Sequence, residues 1–436
     1  MPSLVIRNAR VAREDGTVFD GDVYCENGLI ARIDGRIDVA ADETIDAAGL
    51  LLLPGVIDPQ VHFREPGKEY KEDLASGSHA AAKGGVTSFL EMPNTDPPTT
   101  SQAALDDKLA RAAQKCVVNY GFFIGATPNN LDVVNRAHPA CGIKVFMGSS
   151  TGSLLVDRDE DLERLFANGT RLIAVHAEDE ARIRARAAQL AGSDPAVHSE
   201  IRDNECARLA TAKALALSKK YRRRLHILHL STREEVELLR HDKPSWVTAE
   251  VIPNHLLLNT ADYAALGTLV QMNPPIRTPA DNDALWRGLH DGVIDFIATD
   301  HAPHTLDEKR AGYPHSPSGM PGVETSLPLM LTEMRAGRCT LAEIQKWMSR
   351  GPAEAYGMVN KGRLQLGYDA DLTLVDIDRY RPVRNDEMLT RVRWSPFAGR
   401  ELTGWPQYTI VNGVIVYERG RIRPNVRGRA LQFQAE

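Results

Sequence analysis

The chain has 436 residues, of which 43% are hydrophobic and 25% are charged, as is ordinary for a soluble globular protein. This length exceeds a single small domain and suits a large barrel with a smaller unit attached. The formal net charge of −6 argues against a surface that binds nucleic acid or an anionic membrane. No apolar run approaches the ~20 residues that span a bilayer, and no N-terminal signal pattern is present. These features predict a cytoplasmic protein that binds neither nucleic acid nor membrane.

The cysteines are few and scattered. There are five of them, an odd number, and none is paired as C-x-x-C. This pattern favours reduced thiols over a disulfide framework or a structural zinc knuckle.

The two ends of the chain share one texture. Residues 1–53 contain short strand-like runs broken by Gly, Asn or Asp, and the tail returns to that pattern at 370–375 and 409–416. We therefore expect residues 1–53 and 362–436 to form one small discontinuous β-sandwich domain.

Residues 54–361 alternate strand-like and helical stretches. This alternation predicts an α/β fold, a distorted (β/α)8 TIM barrel, rather than a sandwich. Chemistry in such barrels lies at the C-terminal ends of the strands. Polar residues that follow predicted strands are therefore the candidates for a functional site.

The segment 58–67 resembles a metal motif with one ligand changed. It follows an apolar run, and residues 60 and 62 lie on the same side of an extended strand. Two histidines there would bind a metal ion with little strain, but the chain has Gln60 and His62. The site has either lost a ligand or uses a weaker one.

Four more polar residues each end a different predicted strand, namely Lys144, His176, His229 and Asp300. A lysine inside a buried strand is costly unless it is paired or chemically modified, and taken alone Lys144 suggests an ordinary salt-bridged lysine. His226 is expected to point away from His229 and to be structural. The joint pattern predicts a metal site at the rim of the barrel.

Several motifs resemble one enzyme family. HFREPG at 62–67, MPNTDPPT at 92–99, NPP at 273–275 and DHAPH at 300–304 are similar to motifs of the amidohydrolase superfamily and, within it, of the dihydroorotases. The segment GYDADL at 367–372 is similar to the point at which that superfamily re-enters its β-domain. The resemblance implies one or two divalent ions, commonly zinc, which a carbamylated lysine bridges when both are present.

The resemblance also assigns metal ligands. His62 would bind the more buried ion, His176 and His229 the second ion, and the Lys144 carbamate would bridge the two. Asp300 would bind the first ion and act as the catalytic acid and base.

Substrate contacts are implied in the same way. Arg64 would grip an α-carboxylate in a fork, aided by Asn94 and His304, and Asn273 would hold the ring amide. An exposed ion pair of Arg64 with Glu65 or Glu69 is the structural alternative.

The implied activity is reversible cyclisation of N-carbamoyl-L-aspartate to L-dihydroorotate in pyrimidine biosynthesis. A metal-activated hydroxide would attack in the hydrolytic direction. A related cyclic-amide hydrolase of the hydantoinase or allantoinase type is one alternative. An inactive subunit that scaffolds aspartate transcarbamoylase is another. A homodimer is what the resemblance suggests.

Four departures or open points remain in the sequence. Gln60 is a weaker zinc donor than imidazole, so we expect either one ion or two with the buried site partly filled. Residues 148–153 form either a loop over the site or an ordinary turn, and residues 316–322 are expected to bring backbone groups to the substrate. Asn254 and His255 stand where relatives often have two histidines.

Overall fold

A computed structural model describes residues 2–150, 154–190 and 192–434 of the chain. Part of the predicted loop at 148–153 therefore lies outside the described residues. Among the helices that are described, none combines the length and the apolar character needed to cross a membrane.

The N-terminal strands form one half of a terminal sheet. They are β1 (Leu4–Ala12), β2 (Val18–Glu26), β3 (Leu29–Asp34), β4 (Glu43–Asp46) and β5 (Leu51–Pro54). Strand β1 pairs antiparallel with β2 and parallel with β4 and β5. Asn27 and Gly28 connect β2 to β3 with φ angles of 54° and 81°. An Asn-Gly pair accepts these left-handed angles at low cost, so it gives a tight hairpin turn.

The barrel strands follow, and they are rich in apolar and β-branched residues as fully buried parallel strands require. Their bounds are β6 (Val56–Val61), β7 (Val86–Glu91), β8 (Asn119–Phe122), β9 (Ile124–Gly125), β10 (Ile143–Phe146), β11 (Ile173–His176), β12 (Leu225–Ile227), β13 (Val247–Val251) and β14 (Phe296–Ile297).

These strands close into a ring. Every ladder between neighbouring barrel strands is parallel. Strands β8 and β9, separated by one residue, share one position, and a parallel bridge from His301 to Val61 joins the end that follows β14 to β6. The described residues thus form a closed barrel with eight strand positions, and the predicted TIM barrel is confirmed.

Helices cover the outside of the barrel and pack their apolar side chains against it. The α-helices are α1 (Leu74–Lys83), α2 (Gln102–Lys115), α3 (Leu131–Arg136), α4 (Asp159–Ala167), α5 (Glu180–Gln189), α6 (Val197–Ile201), α7 (Asn204–Tyr221), α8 (Arg233–Asp242), α9 (Pro253–Leu257), α10 (Tyr263–Leu266), α11 (Pro279–His290), α12 (Leu306–Lys309), α13 (Ser326–Arg335), α14 (Leu341–Gln345) and α15 (Gly351–Ala355). Shorter 3-10 turns lie at Thr260–Asp262, Gly267–Val270 and Asn385–Glu387, and a π-helical turn lies at Lys346–Arg350.

The C-terminal strands complete the terminal sheet. They are β15 (Leu372–Asp376), β16 (Arg381–Pro382), β17 (Glu401–Leu402), β18 (Trp405–Val411), β19 (Val414–Glu418) and β20 (Arg421–Ile422). Strand β15 pairs with both β5 and β18, so strands from both termini form one nine-stranded sheet within the described residues. A second Asn-Gly pair at 412–413 turns β18 into β19. Ile6 and Ile30 from the N-terminal strands share one core with Ile410 and Ile415.

Two stretches of the C-terminal part lie against the barrel instead. The Trp394 indole donates to the backbone oxygen of His304 at 2.8 Å, and the backbone of Tyr120 in β8 donates to Arg429 at 3.0 Å. The division into 1–53, 54–361 and 362–436 remains a prediction.

Candidate active site

A pocket opens at the C-terminal ends of the barrel strands. It encloses about 350 Å³ and contains every site residue predicted from the sequence except His304. The lining residues are Gln60, His62, Arg64, Asn94, Lys144, Phe146, Ser150, His176, His229, Asn273, Asp300, Ala302, Ser318 and Gly319. The strand ends converge here because the barrel is parallel, and this convergence brings Gln60 beside Asp300, 240 positions later in the chain.

One side of the pocket joins His62 to Asp300. The Asp300 Oδ1 atom lies 3.1 Å from His62 Nε2, and His62 Nδ1 lies 2.6 Å from Asn94 Oδ1. The amide oxygen can only accept, so Nδ1 carries the hydrogen and Nε2 directs its lone pair at the carboxylate. Burial lowers the pKa of His62 although Asp300 opposes that shift. A neutral imidazole lone pair that faces a carboxylate is an arrangement suited to a cation.

Gln60 adjoins the same carboxylate. Its Nε2 atom donates to Asp300 Oδ1 at 3.1 Å, while its Oε1 atom is buried without a hydrogen-bond partner among the described residues. Asp300 Oδ1 is thus held from two directions. Gln60 thus contacts Asp300 from the position at which the metal motif would have its first histidine.

The opposite side of the pocket joins two histidines. Nδ1 of His176 lies 3.1 Å from Nε2 of His229. Two ligand nitrogens ~2.0–2.1 Å from one tetrahedral ion stand at nearly this separation. The other nitrogen of His176 donates to Glu178 Oε2 at 2.9 Å, so Nδ1 presents its lone pair to the pocket. Burial, followed by His176 and Lys144, keeps the pKa of His229 well below its usual value.

Glu178 and Arg202 support this histidine pair from behind. The Arg202 guanidinium donates to the Glu178 carboxylate and to the backbone oxygen of Ser149. Burial would raise the pKa of Glu178, but Arg202 and His176 lower it to about 2. Glu178 is therefore an anion, and a carboxylate behind an imidazole orients that ring and raises its basicity toward a metal.

Lys144 acts on both sides of the pocket. Its side chain is 1% exposed, and Nζ lies 4.5 Å from the centre of the Phe146 ring. Burial lowers the pKa of Lys144 to about 7, although Asp300 and Glu250 raise it. Its charge in turn contributes to the lowered pKa of His62 and of His176, after burial as the main cause.

The histidine and carboxylate ligands come in pairs. Within residues 2–150, 154–190 and 192–434, no three His, Cys, Asp or Glu side chains converge into a site that could hold a metal ion. Catalytic zinc sites typically use three protein ligands. An anionic oxygen ligand on Lys144 would supply a third ligand to each pair. The donors present fit a divalent ion on the condition that Lys144 contributes.

Three residues of the site have a left-handed backbone. The φ angles are 64° at Arg64, 36° at His229 and 47° at Asp300. Such angles are uncommon for residues with a side chain, and they cluster where the surrounding structure fixes a functional group.

The Arg64 end of the pocket is a buried cationic corner. Arg64 is 3% exposed; its Nε donates to Pro303 O at 3.3 Å, and one terminal nitrogen lies 3.2 Å from His304 Nε2. Burial lowers the pKa of Arg64 to about 10, at which the group stays protonated near neutral pH. The alternative of an exposed loop ion pair with Glu65 is wrong, because Glu65 instead pairs with Lys115. Glu69, the other partner considered, accepts from the backbone of Gly67.

Asn273 is fixed by a histidine that the sequence did not indicate. His198 Nε2 donates to Asn273 Oδ1 at 2.8 Å and lies 3.1 Å from the backbone oxygen of Met272. The amide oxygen of Asn273 is engaged, which makes its amide nitrogen the end that can donate to a substrate.

Sequence reasoning indicated part of the pocket wall but missed most of the supporting residues. Ser318 and Gly319 lie in the segment 316–322 that was expected to contribute backbone groups. Glu178 carried a signal, since it stands two residues after a strand-end histidine. Arg202 carried none, because its contacts depend on the packing of the loop before α7.

The barrel and the pocket define a class of protein. The chain belongs to the amidohydrolase family, because the sequence model of that family matches residues 51–416. Two relatives that match over nearly their full length place the chain in the dihydroorotase branch of that family. The dihydroorotase of Methanosarcina mazei is 38% identical over 99% of this chain and 98% of its own length, and that of Bacillus subtilis strain 168 is 35% identical over 96% and 99%. The predicted family is therefore confirmed. The protein is a metal-dependent cyclic amidohydrolase, and its metal is a divalent ion.

Solved structures agree on the fold. The L-hydantoinase (dihydropyrimidinase) of Arthrobacter aurescens superposes with a TM-score of 0.92 at 32% identity, covering 97% of this chain and 98% of that one. The dihydropyrimidinase of Brevibacillus agri gives 0.91 at 25% identity and covers both chains completely.

Proposed function

We propose that the protein is a dihydroorotase that interconverts N-carbamoyl-L-aspartate and L-dihydroorotate in pyrimidine synthesis. One observation carries the proposal: the buried Arg64 and Asn94 share a pocket with both ligand pairs. The substrate has a carboxylate next to the amide that reacts. A fixed guanidinium beside the reacting centre is the complement of such a molecule.

Different residues bind different parts of the substrate. Arg64 donates hydrogen bonds to the α-carboxylate, with Asn94 and His304 beside it. Asn273 donates a hydrogen bond from its amide nitrogen to the ring. All are buried or held by hydrogen bonds, so little side-chain freedom is lost when the substrate binds.

We assign zinc as the metal, because imidazole nitrogen and carboxylate oxygen suit it well. His62 and Asp300 would hold one ion, His176 and His229 the other, and Lys144 would contribute to both as a carbamate. A bound divalent ion supplies acidity, lowering the pKa of water to roughly 7 and polarising a carbonyl oxygen.

Asp300 moves the proton. Its Oδ1 atom is engaged by Gln60 and lies against His62, so Oδ2 is the oxygen that carries the proton. In hydrolysis Oδ2 takes a proton from the attacking water and delivers it to the ring nitrogen that leaves. In the synthetic direction it removes a proton from the ureido nitrogen.

A hydantoinase-type activity is the second candidate, supported by the superposition on the L-hydantoinase of Arthrobacter aurescens. That activity would share the ligand pairs but would not need Arg64. A protein that only scaffolds aspartate transcarbamoylase would not need intact ligand pairs at all.

Turnover of L-dihydroorotate, dihydrouracil, hydantoin and allantoin by the purified, metal-loaded protein separates these candidates. We expect L-dihydroorotate to be the preferred substrate. Arg64→Met should raise its KM by about 10- to 100-fold, the scale of a lost hydrogen bond to a charged group. Arg338→Met, at an exposed arginine paired with Glu333, is the control. Preference for hydantoin in the wild-type protein would refute the proposal, and absence of any turnover would favour the scaffold.

We further propose a cytoplasmic homodimer, and association with aspartate transcarbamoylase is tested on the same preparation. Light scattering on the purified chain, alone and mixed with aspartate transcarbamoylase, measures both. A monomeric mass would contradict the dimer.

A further inference from the structure

His304 occupies a buried position behind Arg64. Its side chain has no measurable exposure, and its two ring nitrogens face different groups. Nδ1 accepts from Lys71 Nζ at 2.9 Å. Nε2 lies 3.0 Å from the backbone oxygen of Ser318 and 3.2 Å from a terminal nitrogen of Arg64.

The contact with Lys71 determines where the ring hydrogen sits. An ammonium group only donates, so Nδ1 must present its lone pair and Nε2 must carry the hydrogen. A doubly protonated ring is disfavoured as well, since burial, and then Arg64 and Lys71, hold the pKa of His304 well below its usual range. His304 is therefore a neutral ring with one N–H, which donates to the backbone oxygen of Ser318.

This hydrogen position matters for the neighbouring arginine. Two donors 3.2 Å apart, on Arg64 and His304, cannot satisfy one another. Because the His304 N–H is donated to Ser318, the facing N–H of Arg64 finds no acceptor on the ring and remains available to a carboxylate oxygen. The opposite form of the ring would instead accept a hydrogen bond from Arg64 and remove one donor from the corner.

Lys71 is itself held firmly in place. It is 6% exposed, and its Nζ atom lies 2.8 Å from Glu308 Oε1. Glu308 Oε2 accepts from the backbone and hydroxyl of Thr305, both at 3.0 Å, which caps the start of α12. The ammonium is thus fixed by the fold, independently of any substrate.

We propose that Lys71 is a positioning residue that holds His304 with its hydrogen on Nε2, and thereby makes the Arg64 corner selective for a ring bearing a carboxylate. The inference rests on the proposed function, because it concerns how the same pocket binds its substrate. Lys71 touches no substrate; it acts through His304.

Two variants separate the hydrogen bond from the charge. Lys71→Met removes both, and Lys71→Gln keeps an N–H for Nδ1 but removes the charge. Lys68→Met, three residues earlier on the same loop, makes the same change outside the network and is the matched control. Each variant is tested for KM and kcat with L-dihydroorotate and for equilibrium binding of orotate and of uracil, which lacks the carboxylate.

We expect Lys71→Met to raise the KM for L-dihydroorotate and the Kd for orotate by about tenfold, with kcat within about twofold. The Kd for uracil should not change. Lys71→Gln and Lys68→Met should both stay within about threefold of wild type. Equal weakening of orotate and uracil, or a fall in kcat together with Tm, would indicate a structural role and overturn the inference. A Lys71→Gln variant as poor as Lys71→Met would overturn it too, since the charge would then be what matters.

Nitrogen NMR of histidine-labelled protein reads the ring directly, with a His304→Gln variant to assign the signal. In wild type we expect the shift of an unprotonated Nδ1 and a protonated Nε2, and in Lys71→Met a mixture or the opposite form. An unchanged wild-type pattern in Lys71→Met would overturn the inference. Absent turnover of L-dihydroorotate in the wild-type protein would instead count against the proposed function, while the binding and NMR measurements would still judge Lys71.

Discussion

The two sides of the pocket hold their donor atoms by different means. On one side, His176 is backed by the anionic Glu178, which Arg202 holds in turn. On the other, His62 is backed by the neutral amide of Asn94. An anionic partner raises the basicity of a metal-binding imidazole more than a neutral one does. We therefore expect the His176–His229 side to bind its ion more tightly.

The types of ligand point the same way, because an amide oxygen is a weaker donor to zinc than an imidazole nitrogen. The His176–His229 side offers two imidazoles, whereas the His62 side offers one imidazole, the Asp300 carboxylate and the Gln60 amide. The amide nitrogen of Gln60 already donates a hydrogen bond to Asp300. The weaker side is thus also the side that carries the acid and base. Binding strength and proton transfer are divided between the two halves of one pocket.

The largest effect should come from Asp300→Asn. An amide cannot take a proton from water near neutral pH, so kcat for L-dihydroorotate hydrolysis should fall by at least about 10³-fold. The ion held by His176 and His229 should remain. Kinetics and metal analysis on one preparation test both statements.

Asp291→Asn, at an exposed aspartate paired with Arg240, is the control and should leave both quantities unchanged. If Asp300→Asn kept a tenth of wild-type turnover, or lost all of its metal, the division of roles between the two sides would be wrong.

A smaller effect is expected for Glu178→Gln. The variant keeps the shape of the side chain but replaces the anion behind His176 with a neutral amide. Affinity for the more tightly bound ion should fall by about 10- to 100-fold, as measured by competition with a chelator. Glu205→Gln, at a carboxylate paired with Arg208 in α7, is the control. An unchanged affinity would show that Glu178 only supports packing.

The barrel and the pocket members could be predicted from sequence for a physical reason. Buried parallel strands read as apolar runs, and the ends of such strands meet at one rim. Such runs end at or just before His62, His176, His229 and Asp300, and one of them contains Lys144, so chain position alone placed them together.

Side-chain partners could not be predicted in the same way. Lys71 and His304 are 233 residues apart, and Glu178 and Arg202 meet through loops whose course depends on packing. His304 was expected in the substrate corner, yet its ring lies behind Arg64 and donates to the backbone of Ser318. Residue type and position at a strand end determine which residues lie near the pocket. Hydrogen-bond partners decide which atom faces it, and they exist only in the folded chain.

The smallest effect sharpens the comparison most directly. Gln60→His replaces a weak amide donor with an imidazole on the side that we expect to bind weakly. Affinity for the ion held by His62 and Asp300 should rise by about tenfold, the scale at which single contacts alter metal affinity. Titration of metal-free protein with zinc, followed by calorimetry, would show two unequal sites in wild type and two similar sites in the variant. The gain should be confined to one site, because Gln60 contacts Asp300, which would hold the ion on that side of the pocket. Two equal sites in the wild-type protein would contradict the weak-side interpretation, and Gln60 would then serve only to hold Asp300.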